Sequence, residues 1–176
     1  TAAFDKEISG LQAKDCIFRI YRDVRFSHDK SPYKNHFGAY ISVGGRKSLR
    51  AGYYIHFEPG GCLLSGGIYC PQPDILKALR KAVFDNIDEY KAIVENPSFA
   101  STFSEVEEKL KTIPRGFPSD FREGDYLKNK HYAFTHRVND TFFESDDCMN
   151  KTIALFKQLH PINQFLNYTV DEVLND

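Results

Sequence analysis

Apolar positions along the chain switch between a period of two and a period of three to four. From Cys16 the even positions Cys16, Phe18, Ile20, Val24 and Phe26 form an apolar row, which predicts a strand. Ser27, Asp29, Ser31 and Pro32 then supply the breaker chemistry of a loop that runs to Phe37. Ala39, Ile41 and Val43 share one face of a second strand over Phe37–Val43. Gly44-Gly45-Arg46-Lys47 follows as a tight, exposed turn, with glycines that can take positive φ. A third strand spans Arg50–Glu58, and Pro59-Gly60-Gly61 turns it into a fourth, Cys62–Tyr69. Connections this short make the strands antiparallel neighbours, because a parallel return needs a crossover of a dozen or more residues. Gly66-Gly67 inside the fourth strand predicts a bulge that curves the sheet, in preference to a ligand contact.

The longer period dominates the second half. Phe4, Ile8 and Leu11 read as the end of a helix stopped near Gly10. Leu76, Leu79, Val83, Ile87, Tyr90 and Val94 form one buried stripe on a helix over Pro73–Glu95, ended by Asn96-Pro97, and 99–103 adds a further turn. Lys111–Ile113 is a short strand candidate, Glu123–Lys130 a short helix and His131–Val138 a strand. The last helix starts at Ser145 as N-cap, with Asp146 and Asp147 in its first turn, and is broken or kinked at Pro161. This order predicts an α+β fold: an antiparallel sheet of about four or five strands with helices packed mainly on one face.

The chain has 176 residues, enough for one domain with a substantial core; with no linker or repeat, residues 1–176 are expected to form a single domain. A chain that opens on the last turns of a helix is expected to lack an N-terminal helical portion. A net charge of −1 argues against a whole-surface attraction to nucleic acid or membrane, so any anion binding is local. Cys16, Cys62, Cys70 and Cys148 form no CxxC pair and no metal-ligand spacing, which fits reduced thiols and a cytoplasmic setting.

Local charge is concentrated in one place. Arg19, Arg22, Arg25, Lys30 and Lys34 stand against Asp23 and Asp29 within one strand and its loop. On the odd face of that strand Arg19, Tyr21, Asp23 and Arg25 point the same way, and Asp23 is able to pair with Arg25. Tyr54, His56 and Glu58 share one face of the third strand. If the two faces coincide, these side chains form an Arg-rich polar pocket for a small phosphate or carboxylate ligand, roofed by a loop carrying Lys30, Tyr33 and Lys34. Such a pocket would suit a soluble enzyme of unspecified reaction. The alternative is a solvated sheet face laced with ion pairs, used by a non-catalytic protein-interaction module. Arg22 interrupts the apolar row and needs a structural partner. His56 and Glu58 alone do not make a metal site, and His28, His36, His131, His136 and His160 show no HxH or HxxxH pattern, so neither a metal nor a cofactor is expected.

FRIYRDVRFSHDKSPYK (18–34), GYYIHFEPGG (52–61), GGIY (66–69), RGF (115–117) and LKNKHYAF (127–134) together resemble the domain-of-unknown-function family numbered 2461, found in bacteria and fungi. The resemblance covers essentially the whole chain. It departs at His28, where a Lys is commoner. It implies further helical residues at the N-terminus, and it implies no activity or cofactor.

Overall fold

The computed structural model describes residues 1, 3–23, 25, 28 and 30–175. Its strands are β1 (Phe37–Ile41), β2 (Gly52–Phe57), β3 (Leu63–Ile68), β4 (Ser104–Glu105) and β5 (Tyr132–Arg137), all paired antiparallel in the order β1-β2-β3-β5-β4. With the helices below, this is an α+β fold. Gly44, Gly45 and Gly60 all have positive φ, as glycine turns predict. The first turn is not the tight, exposed one expected: residues 42–51 join β1 to β2 and carry a 3-10 turn, Gly45–Lys47, with Gly45 buried.

The predicted first strand is different. Ala13–Cys16 forms a single helical turn, α1, and no regular strand follows it among the described residues. Instead, isolated bridges join Ile17 to Ala39 and Tyr21 to Tyr33. Phe18 N–H donates to Gly38 O (2.9 Å), Lys34 N–H to Ile20 O (2.8 Å) and Arg22 N–H to Pro32 O (3.0 Å). The result is an irregular hairpin beyond the outer edge of β1. Ile17, Ile20 and Tyr21 stay substantially exposed, so no core surface rewards a regular ladder there. Val24, Phe26, Ser27 and Asp29 lie outside the described residues.

One long helix, α6 (Cys148–Asn175), covers one face of the sheet. Leu159, Ile162, Leu166 and Val170 are its buried stripe, and Phe156 packs its ring 5.0 Å from that of Tyr53. Close approach is built into β3: a Cβ on Gly66 would lie about 3.0 Å from Leu159. Gly66-Gly67 is therefore the seat of the helix and not a bulge, since the register runs unbroken through Tyr53↔Gly66↔Phe134 and Gly52↔Gly67↔Ala133. Asn163 locks that seat, accepting from Gly67 N–H (2.8 Å) and donating to Gly52 O (3.1 Å).

The helix α6 also runs through Pro161 without a break. Both Pro161 and Lys157, the residue whose carbonyl loses its donor, are exposed, so water can take up the missing bond. The predicted Pro73–Glu95 helix is two, α2 (Pro73–Asp85) and α3 (Ile87–Val94), separated at Asn86, whose amide side chain donates to Ala82 O (3.1 Å). The apolar stripe continues through the break because Leu79, Val83 and Tyr90 all reach the same core. Residues 97–102 form α4 (Pro97–Thr102), capped by Asn96, and 124–127 form α5 (Gly124–Leu127). Lys111–Ile113 is not a strand; β4 takes that edge seven residues earlier, beside the Phe99, Phe103 and Phe134 cluster. Lys6–Ile8 is a single 3-10 turn rather than the end of an α-helix, although Ile8 is buried as expected. All four cysteines are free thiols. Among the described residues no helix is long and apolar enough to cross a membrane.

Candidate functional site

Strand parity splits the sheet into two chemically different faces. Tyr53, Leu64 and Gly66 turn toward α6, so their neighbours turn away from it. A row across four strands follows on the open face: Tyr40↔Tyr54↔Ser65↔Thr135. These residues, with Gly38, His56, Leu63, Gly67 and Ala133, floor a cavity of about 680 Å³. Phe18, Lys34 and His36 wall it on one side, Arg46, Ser48, Leu49 and Arg50 on a second and Tyr69 to Gln72 on a third.

The polar centre of this face is a chain along β2. The Tyr54 hydroxyl lies 3.0 Å from His56 Nδ1, and His56 Nε2 lies 2.8 Å from Glu58 Oε2. With the imidazole proton on Nε2, His56 donates to Glu58 and accepts from Tyr54. Positions 54, 56 and 58 alternate with the pleat, so one strand delivers all three to one side. Burial, and then the Glu58 charge, raise the Tyr54 phenol above its ordinary pKa and keep its proton in place.

His36 joins from the residue that precedes β1. The register Phe37↔Phe57 puts it opposite Glu58, and its ring stacks on His56 with centroids 4.6 Å apart. Asn35 ties the group together: its amide nitrogen donates to Glu58 Oε1 and its oxygen lies 3.1 Å from His36 Nδ1. One ligand atom from each of His36, His56 and Glu58 lies within 4.8 Å of the other two. Burial, followed by the nearby His56 and Lys34, lowers the His36 pKa and favours its neutral form. Chemically the group can pass a proton along Tyr54–His56–Glu58, or it can gather two ring nitrogens and a carboxylate oxygen.

Three cations line the cavity, and they differ in how far their charge is spent. Arg50 is paired with Glu7 and with Asp171 (3.3 Å). Arg46 donates to the Lys14 and Asp15 carbonyls (2.9 and 3.2 Å), neutral acceptors, and forms no ion pair among the described residues. Lys34 completes the set. No Asp or Glu appears among the described lining residues. At the far rim Cys70 adopts positive φ (51°) and donates its N–H to His131 Nδ1 (3.0 Å).

Of the residues singled out in the sequence, Lys34, Tyr54 and His56 line this cavity, with Glu58 directly behind His56. Arg19, Arg22, Asp23, Arg25, Lys30 and Tyr33 belong to the irregular hairpin and are not among its lining residues. Arg25 does grip Asp23 in a two-pronged ion pair (2.6 and 3.0 Å), and Arg22 Nε donates to Tyr33 O (3.4 Å). Sequence reasoning passed over His36, Asn35, Arg46 and Arg50 as site residues. The signal for the first two is the hairpin register, which sets 36 against 58 once β1 and β2 are paired.

Neither the curated proteins nor the solved structures contain a match to this chain. The conserved hypothetical protein family DUF2461 matches residues 1–165, and the chain therefore belongs to that family.

Proposed function

We propose that the open face of the sheet binds a small organic anion through a phosphate or carboxylate group. The observation that supports this most is the composition of the cavity wall: Lys34, Arg46, Arg50, His36 and His56 with no lining carboxylate among the described residues. Arg50 is paired with Glu7 and Asp171, so the positive field in the cavity comes chiefly from Lys34 and Arg46, and low-dielectric protein behind them concentrates it. Its volume lies inside the ~300–1,000 Å³ typical of small-molecule sites. The apolar surfaces of Phe18, Leu63, Ile68 and Val106 favour a ligand with a carbon skeleton over a bare inorganic ion.

Thermal-shift screening with phosphate, nucleotides and di-acids tests this, because a ligand selective for the native state raises its melting temperature. At a ligand concentration of ~100 Kd the stabilisation amounts to about 2.7 kcal/mol, well within detection. Lys34→Ala should shrink the shift. If no anion stabilises the wild-type protein, the proposal fails.

A second reading, a protein-interaction module, draws on a different region. Ile17, Tyr21, Tyr33 and Phe37 are each at least half exposed beside Arg19 and Arg25, and Tyr21 and Tyr33 pair with ring centroids 5.4 Å apart. Exposed aromatics next to cations are common at binding surfaces. Anion screening that finds no ligand would leave this surface as the better candidate.

A further inference from the structure

We infer that His36, His56 and Glu58 form a binding site for a divalent first-row transition metal such as zinc or ferrous iron, in the wall of the cavity. Two imidazoles and one carboxylate are the donor set that such ions accept, while magnesium and calcium prefer all-oxygen sites. The three side chains come from two adjacent strand ends, and their ligand atoms are already within 4.8 Å of one another. In a tetrahedral zinc site with bonds of ~2.0–2.1 Å, ligand atoms sit roughly 3.3 Å apart. His56 Nε2 and Glu58 Oε2 are already 2.8 Å apart; sharing an ion with His36 requires the two stacked rings, 27° apart in plane, to turn until their in-plane nitrogen lone pairs converge.

The outer hydrogen bonds carry the inference further than the ligand count does. Metal-ligating imidazoles commonly hold their second nitrogen against a fixed partner, which sets tautomer and ring direction. Here His36 Nδ1 is held by Asn35 Oδ1, and His56 Nδ1 by the Tyr54 hydroxyl. Asn35 Nδ2 holds Glu58 Oε1. Each ligand therefore has one polar atom anchored outward, and His36 Nε2, His56 Nε2 and Glu58 Oε2 are the donors left to face an ion. The existing His56 Nε2 to Glu58 Oε2 bond (2.8 Å) already brings two of them together; ligation at Nε2 would put the ring proton on Nδ1, which would then donate to the Tyr54 oxygen. Three protein ligands leave at least one coordination position, and two of them, His36 and His56, also line the cavity.

The ion would bind whether or not an anion occupies the cavity, so the metal alone is the probe. Zn²⁺ titration by calorimetry and Co²⁺ titration by visible absorption should both report one ion per chain, with the ligand-field bands of a nitrogen and oxygen donor set. His36→Ala and Glu58→Gln should each weaken binding by more than ~100-fold, because even outer-shell partners commonly carry ~10–100-fold. Asn35→Ala, which touches no ion, should weaken it by ~10-fold. Circular dichroism and melting temperature, measured on each variant, separate ligand loss from unfolding; His36 is the primary substitution because it precedes β1 and holds no core contact. Three results would overturn the inference: no binding to the wild type, binding that His36→Ala and Glu58→Gln leave unchanged, or thiolate charge-transfer bands that place cobalt on cysteine.

Discussion

Tyr53 and Tyr54 are adjacent in β2, and each heads a chain of tyrosine, histidine and carboxylate, yet the two chains do different work. Tyr53 points at α6. Its hydroxyl donates to Asp5 Oδ2 (2.9 Å) and meets His160 Nδ1 (2.9 Å), and its ring lies between Phe4 and Phe156. Those partners come from the N-terminal turn and from α6, so this trio stitches together three segments distant in sequence. Burial, then the bond to Asp5, push the Tyr53 phenol far above its ordinary pKa. Tyr54 points the other way, and its partners His56 and Glu58 are its own neighbours along the strand. A trio assembled from one strand closes no loop and fixes no topology. The first arrangement belongs to the fold; the second leaves its side chains available to a ligand.

The comparison breaks most visibly when the helix-facing side is cut. Asn163→Ala should be the most damaging substitution considered, because it leaves Gly67 N–H and Gly52 O without their partner inside the core. Two stranded buried groups at ~1–3 kcal/mol each predict a loss of roughly 3–4 kcal/mol, read as a lower urea midpoint at unchanged slope. A loss below about 1 kcal/mol would mean that water enters the helix seat and that this face is less closed than its packing indicates.

Removing one hydroxyl from each trio sharpens the contrast. Tyr53→Phe should cost about 1–2 kcal/mol, since it leaves Asp5 and His160 without the oxygen that joins them. Tyr54→Phe should cost less than about 1 kcal/mol, because His56 keeps Glu58 and the site is open to water. Metal affinity should respond in the opposite order, falling ~10-fold in Tyr54→Phe and not at all in Tyr53→Phe. Equal stability losses in the two variants would remove the distinction between a structural and a serviceable trio.

How much of this was legible in the sequence depends on whether a feature is local. The hairpins from Phe37 to Ile68 are set by alternating residues and glycine turns, so both the antiparallel sheet and the shared face of Tyr54, His56 and Glu58 could be read directly. The Cys16–Phe26 row obeys the same alternation, but of its described members only Cys16 is buried, while Phe18 is half-buried and Ile20 exposed beyond the sheet edge; parity alone cannot tell a strand from an irregular extended segment. Gly66 looked like a bulge because its real reason, Leu159 of a helix nearly a hundred residues later, leaves no local trace. His36 escaped for the same cause: its proximity to Glu58 exists only once the register of β1 on β2 is known. The break at Asn86 was hidden by a stripe that both helices share.

The smallest expected effect tests where the anion site lies. Charge density in the sequence peaks in the Arg19–Lys34 segment, where Arg25 pairs with Asp23 yet keeps a side chain 75% accessible. Asp23 raises the Arg25 pKa through their hydrogen bond, but in full solvent such a pair is screened and adds little to stability. Lys34 belongs to the same segment, yet it turns into the cavity beside His36. Arg25→Ala should therefore leave both the melting temperature and any anion-induced shift at wild-type values. Lys34→Ala should leave the melting temperature alone and reduce the shift, more so at low ionic strength, where a single cation acts over a longer distance. Running both variants against the same anion in a thermal-shift assay compares a cavity cation with a surface cation, each variant losing one positive charge. If Arg25→Ala abolishes the shift and Lys34→Ala does not, the anion sits on the exposed hairpin, and the open face of the sheet loses its claim to be the binding site.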